Sequence, residues 1–156
     1  MLIGVVSDTH RDKAAIRRAA EELRDTDLII HLGDNDGDIE DLGELYKSKI
    51  ISVRGNCDFM SRTPLELLEE LEGIRILVTH GHKYDVKHNL QKLKERAIEL
   101  EADVALYGHT HISEIDFEEG LWLINPGSAA LPRDGYNSVA IIEVIDGEIK
   151  ADIKIL

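Results

Sequence analysis

A chain of 156 residues, 43% hydrophobic and 31% charged, with a formal net charge of −13, reads as one globular α/β-sized domain over 1–156 and not as a disordered segment. The acidic balance excludes broad binding to nucleic acid or to an anionic membrane, which needs clustered Lys and Arg, but leaves open a small phosphoester met by bound divalent cations. A single cysteine, Cys57, excludes an internal disulfide; with no signal-like leader and no apolar run of membrane length, it points to the cytoplasm.

Residues 1–6 form an apolar strand that stops at Ser7-Asp8-Thr9-His10. Asp8 and His10 are two apart, so extended geometry projects both to one side. Asp12 caps a helix in which Ile16, Ala19, Ala20 and Leu23 recur at helical spacing. Residues 27–32 make a second strand ending in Gly33-Asp34. A short helix carrying Ile39, Leu42 and Leu45 follows, then a third strand around 50–53 that ends in Gly55-Asn56-Cys57-Asp58. Residues 64–72 are ambiguous: their Leu and Glu content favours helix, whereas Gly73 and the strong strand at 74–79 suit a hairpin. That strand runs into His80-Gly81-His82. Leu90, Leu93, Ala97 and Leu100 mark an amphipathic helix over 88–100, and residues 104–107 form a buried strand ending in Gly108-His109-Thr110-His111. Beyond it, residues 112–117 and 121–124 flank Glu119-Gly120, and Asn125-Pro126-Gly127-Ser128 turns the chain. Residues 138–144 and 148–155 flank Asp146-Gly147, a hairpin signal. Apolar strands that alternate with helices and finish as hairpins predict an α/β sandwich with a partly parallel sheet.

Asp8 with His10, Asp34, Asn56, His80, and His109 with His111 each follow an apolar strand. Ligands of open α/β sheets gather at the carboxyl ends of strands. Taken singly, an aspartate there is ordinarily a turn residue and a histidine ordinarily packed or solvated. Independent turn residues have no reason to fall at five strand ends together, so the joint pattern reads as a metal site. Its N and O donors exceed what one divalent ion needs and suit two ions sharing a carboxylate. Without a thiolate among them, the set suits Mn²⁺, Fe²⁺, Ni²⁺ or Zn²⁺ better than Ca²⁺, with Mn²⁺ the ion expected to work in assays.

Val6-Ser7-Asp8-Thr9-His10, Gly33-Asp34, Gly55-Asn56, Thr79-His80-Gly81-His82 and Gly108-His109-Thr110-His111 resemble, in order, the signature of the calcineurin-like metallophosphoesterases. Ile124-Asn125-Pro126-Gly127-Ser128 followed by Leu131-Pro132-Arg133 is similar to the small stand-alone prokaryotic phosphodiesterases of that superfamily. The resemblance implies a four-layer α/β/β/α sandwich with mixed sheets and a metal site at the carboxyl ends of strands. It also implies a ligand set. Asp8, His10 and His111 would hold one ion and Asn56, His80 and His109 the other, with Asp34 bridging, so that Asp34, Asn56 and His80 are the metal-held catalytic residues. Two carboxylates against two divalent ions leave a formal surplus of two positive charges, which a bridging hydroxide reduces to one. Such a site matches a phosphodiester monoanion, attacked in line. The alternatives are a phosphomonoesterase on the same site and a non-catalytic protein-interaction scaffold of the same fold. Intact ligands count against the scaffold, and the acidic surface disfavours a nuclease.

Two positions depart from the superfamily pattern. Where many members read Gly-Asn-His, this chain has Cys57, and a neutral thiol is a poor proton donor to a leaving alkoxide; the expectation is a preference for activated aryl diesters, or a proton from His82 or water. Where members often read Gly-Asp-x-x-Asp, the matching residue is Gly37, so Asp36 and Asp38 are read as solvated, capping residues. Among the rest, Arg133 is the candidate contact for a phosphate oxygen. His31 is read as packed behind the site, His88 as capping or preceding its helix, and Asp58 as orienting its loop. Lys83, Tyr84 and Lys87 are placed near the entrance, and loops 58–64 and 82–88 are expected to shape specificity.

Overall fold

Strands buried on both faces read as continuous apolar runs, and such runs set this architecture. The computed structural model describes residues 1–35 and 37–156. β1 (Leu2–Val6), β2 (Leu28–His31) and β3 (Lys49–Ser52) are parallel and are linked through α1 (Lys13–Glu22) and α2 (Asp38–Leu45). The antiparallel hairpin of β9 (Ser138–Ile145) and β10 (Glu148–Ile155) completes the sheet in the order β10-β9-β1-β2-β3. The second sheet contains β4 (Glu66–Leu71), β5 (Ile74–Thr79), β6 (Val104–Leu106), β7 (Ser113–Glu118) and β8 (Leu121–Pro126), ordered β4-β5-β6-β8-β7. Its three inner strands are parallel and its edges antiparallel, with α3 (Gln91–Glu99) crossing from β5 to β6.

Side-chain alternation sorts the strands into layers. Ile3, Val5, Leu28 and Ile30 meet Ile76, Val78, Val104 and Leu106 in an aliphatic core between the sheets. Val6 and Ile29 face outward beneath Ile16, Ala19 and Leu42 of the first two helices, while Leu77, Ala105 and Leu123 lie beneath Leu93 and Ala97 of α3. This is the expected four-layer α/β/β/α sandwich with mixed sheets. Asp12 caps α1 as its position predicts, accepting from Ala14 N and Ala15 N at 2.9 and 3.0 Å. His88 precedes α3 without capping it and pairs instead with Asp85 at 2.6 Å. No helix among the described residues is long and apolar enough to cross a membrane.

The ambiguity over residues 64–72 resolves as strand. Leu67 and Leu71 pack against the intersheet core while Leu68 and Glu70 are exposed. Pairing with β5, from Glu66 opposite Thr79 to Leu71 opposite Ile74, overrides helix propensity. Glu72 and Gly73, both left-handed at φ 51° and 78°, supply the tight hairpin turn. Asp38 corrects a second expectation. It is 5% exposed, not solvated, and its carboxylate accepts Arg11 N at 2.8 Å, tying the first turn of α2 to the loop behind His10. The solvated reading failed because the parallel β1–β2 register, with Val6 opposite His31, lays the β1 loop directly over this turn. Asp36 lies outside the described residues.

Candidate metal centre

Parallel register brings the strand ends level, and backbone hydrogen bonds then lock the loops together. Asp8 N donates to Gly33 O at 3.1 Å and Gly108 N to His80 O at 3.0 Å. Between the sheets, His109 N donates to Asp8 Oδ2 at 3.2 Å and His80 Nδ1 to Leu32 O at 2.8 Å. Close approach of these loops leaves no room for a side chain at two glycines. A Cβ on Gly55 would stand 2.0 Å from Asp34 Oδ1, and one on Gly108 would stand 2.1 Å from Ser7 Oγ.

Two groups of ligand-type atoms result, each within 4.8 Å: Asp8, His10 and His111, and Asp34, His80 and His109. Asn56 joins the second, its Oδ1 lying 3.1 Å from His80 Nε2. All seven residues singled out in the sequence are thus brought to one edge. Five of them, Asp8, His10, Asp34, His109 and His111, have φ between 47° and 67°. Left-handed backbone at residues other than glycine costs about 1–3 kcal/mol each and persists where surroundings over-determine it, as at functional sites.

The hydrogen bonds decide what the groups can hold. A carbonyl only accepts, so His111 Nδ1, 2.7 Å from Leu131 O, and His80 Nδ1, on Leu32 O, must each carry the proton. In the neutral imidazoles, both Nε2 atoms then present lone pairs. His111 Nε2 faces Asp8 Oδ1 at 3.0 Å. His80 Nε2 faces Asn56 Oδ1 at 3.1 Å, His109 Nδ1 at 3.2 Å and Asp34 Oδ1 at 3.5 Å. Acceptors this close call for a cation between them, a metal ion or a proton on the imidazole. The spacings match the edges of a coordination polyhedron with metal–ligand bonds of about 2.1 Å. Asp8 Oδ1 is buried without a hydrogen-bond partner among the described residues, while Oδ2 is held by Ser7 Oγ at 2.5 Å. These residues fit divalent metal ions.

Electrostatics agree with that fit. Burial alone would raise the Asp8 pKa, but the His10 and His111 side chains, the His80 charge and Ser7 Oγ together hold it well below the carboxylate range. Burial and neighbouring His80 push His109 down to about 4, which keeps its imidazole neutral as a ligand must be. The Asp8 carboxylate draws the His111 pKa upward, because a proton is the other cation able to fill their gap.

The remaining candidates separate cleanly. His31 is fully buried, accepting Gly33 N at its Nδ1 and contacting Thr9 Oγ1 through Nε2, so it packs behind the site. The His82 ring is 5.4 Å from that of His80 and 6.1 Å from that of His109, and its buried Nδ1 has no hydrogen-bond partner among the described residues. Arg133 is exposed and reaches the site through its backbone N, which donates to His111 O at 2.8 Å. Lys83 and Tyr84 turn to Glu66. Exposed Cys57 donates its backbone N to Asp34 Oδ1 at 3.0 Å, and partial burial with the Asp34 charge pushes its thiol up to about 11. Asp58 accepts Gly55 N, Asn35 N and Asp34 N at 2.7, 2.8 and 3.1 Å, binding the β2 and β3 loops into one unit. Sequence reasoning missed Ser7 and Ser128; the latter's Oγ donates to Asp8 O at 2.8 Å. Nothing in either position distinguishes a buried serine from an ordinary turn serine.

A site of this kind defines a metal-dependent phosphoesterase, and the comparisons agree. The model of the calcineurin-like phosphoesterase superfamily domain matches residues 1–147, and the chain belongs to that family. A probable metallophosphoesterase of Methanothermobacter thermautotrophicus is 41% identical, over 100% of this chain and 92% of its own. Phosphodiesterase MJ0936 of Methanocaldococcus jannaschii is 28% identical over 92% of this chain and 93% of its own. Among solved structures, a predicted phosphoesterase from Streptococcus pneumoniae superposes with a TM-score of 0.83 at 33% identity, covering 99% of this chain and 88% of that one. Vps29 from Entamoeba histolytica, at a TM-score of 0.80 and 21% identity over 100% and 99% of the two chains, shares the fold.

Proposed function

We propose that this chain hydrolyses phosphodiesters with two divalent ions, one held by Asp8, His10 and His111 and the other by Asn56, His80 and His109, with Asp34 bridging. The observation that carries the reading is the pair of ligand groups at one edge, Asp8 with His10 and His111 and Asp34 with His80 and His109, each set of atoms lying within 4.8 Å. The ions, when bound, would acidify the attacking water and neutralise the equatorial phosphoryl oxygens, with attack in line with the leaving oxygen. The chain's own part is orientation. Ser7 Oγ and His109 N fix one Asp8 oxygen so that the other faces the groups, and two backbone carbonyls fix the tautomers of His80 and His111.

Among the described residues two carboxylates, Asp8 and Asp34, belong to the ligand groups, so the charge left over suits a phosphodiester monoanion, and the name of the Methanocaldococcus relative supports the same class. A neutral Cys57 thiol is a weak acid for the leaving oxygen, which favours aryl esters; water or His82, whose ring lies 5.4 Å from that of His80, is the other proposed proton source. Arg133 is proposed to meet a phosphate oxygen. Mn²⁺ is the proposed assay ion and the cytoplasm the proposed location, with a small phosphoester as substrate. With Mn²⁺ supplied, a bis-aryl phosphate should turn over at least roughly ten-fold faster than a mono-aryl phosphate. Equal or faster monoester hydrolysis would instead make the chain a phosphomonoesterase, and two bound ions with no hydrolysis of either ester would favour the scaffold.

A further inference from the structure

A cleft of about 430 Å³ opens beside the metal centre, within the range of small-molecule sites. Its walls are chain neighbours of the candidate ligands: Arg11 follows His10, Asn35 follows Asp34 and Cys57 follows Asn56. A phosphorus atom at the metal centre would therefore place one of its ester substituents at the cleft mouth. Phe59 and Met60 line it while 86% and 96% exposed, the two most exposed large hydrophobic side chains among the described residues. The chain contains only 2 Phe and 2 Met. The other phenylalanine, Phe117, stacks against Trp122 with ring centroids 4.9 Å apart. An aromatic ring and a thioether left in water beside a reaction centre form an unfilled contact surface, because each gains by covering a second flat ring.

The polar groups of the cleft restrict what that ring belongs to. Arg11 is held by its Nε on Asn35 Oδ1 at 3.2 Å and its backbone N on Asp38 Oδ2 at 2.8 Å. Its guanidinium makes no ion pair with a carboxylate among the described residues, in a chain with 31 acidic and 18 basic residues. The carboxylates of the cleft point elsewhere: Asp38 binds the Arg11 backbone and both Asp58 oxygens bind backbone N–H groups of the site loops. Among the described residues, the cleft thus offers an apolar face, a cation that can stack or meet an anion, and no carboxylate turned toward a cationic ligand.

We propose that this cleft binds a flat aromatic substituent of the phosphoester, whether an aryl group or a nucleobase, stacked on Phe59 and Met60 with Arg11 against its charged side. The proposal rests on the phosphoesterase reading of the adjoining centre and names its substrate class. It is tested by calorimetric binding of phenyl phosphate, adenosine 5′-monophosphate and methyl phosphate to the Mn²⁺-loaded protein. The aromatic probes should bind roughly ten-fold tighter than methyl phosphate. Preference for phenyl phosphate alone assigns an aryl group, and preference for the nucleotide assigns a nucleobase. Phe59→Ala should bring the ratio to about two, and Arg11→Gln should weaken both aromatic probes, while Ile98→Ala, on the remote exposed face of α3, should leave the ratio unchanged. Equal affinity for all three probes, or a ratio insensitive to Phe59→Ala, overturns the proposal. If the aromatic preference holds but no diester is hydrolysed, the cleft stands and the diesterase reading falls. If diesters are hydrolysed without aromatic preference, the cleft falls alone.

Discussion

Asp58 is no metal-ligand candidate, yet replacing it by alanine should disturb both fold and metal binding. The carboxylate is 7% exposed and accepts three backbone N–H groups, from Gly55, Asn35 and Asp34, at 2.7–3.1 Å. Removal would leave these donors facing a cavity, at about 1–3 kcal/mol for each buried unsatisfied group. A loss of about 4 kcal/mol is expected, which for a domain of this size lowers Tm by roughly 8–16 °C. The same N–H groups set the backbone of Asp34 and precede Asn56, so affinity for an ion at Asn56, His80 and His109 should fall about 10–100-fold. The site at Asp8, His10 and His111, which shares only Asp34 with it and is anchored by Ser7 and Ser128, should lose less affinity. Thermal unfolding in chelator followed by calorimetric metal titration separates the two effects. A Tm within about 2 °C of wild type together with two unchanged binding isotherms would refute the argument that Asp58 joins the loops.

Gly55→Ala should abolish turnover, because its Cβ would stand 2.0 Å from Asp34 Oδ1 and displace that carboxylate; metal content and steady-state rates check it. Cys57→His should raise rates on alkyl diesters more than on aryl diesters, since the histidine supplies an acid that the thiol does not; unchanged relative rates contradict this. For Glu66, burial alone would raise the pKa, but the Tyr84 hydroxyl and the Arg96 guanidinium hold it below the ordinary carboxylate value. Its contribution to stability is therefore present above the unfolded-state value of about 4.3 and lost as pH falls through the folded-state value. The Tm difference between wild type and Glu66→Gln should accordingly be larger near neutral pH than at about pH 3.

Much of the site was legible because of how parallel strands are made. Burial on both faces makes β1, β2 and β6 nearly continuous apolar runs, and β5 one from Ile76 to Val78, so the polar residues that end them stand out. The carbonyl acceptors that fix His80 and His111, by contrast, belong to Leu32 and Leu131, residues whose side chains carry no such signal. Asp38 and Asp58 look like ordinary loop acids, and only the stacking of one loop on another buries them. Residues 66–71 read Glu-Leu-Leu-Glu-Glu-Leu, a helix former by local propensity; the neighbouring β5 edge makes them strand. Phe59 and Met60 gain meaning from the cleft they border, which joins loops distant in sequence.

Two metal shells that share Asp34 are proposed to meet at one edge. Elemental analysis of Mn²⁺-loaded wild-type protein and of His80→Ala tests this most directly. Two ions per chain are predicted for wild type and one for His80→Ala, with the remaining ion held by Asp8, His10 and His111. One ion or none in wild type, or two retained in the variant, would contradict it.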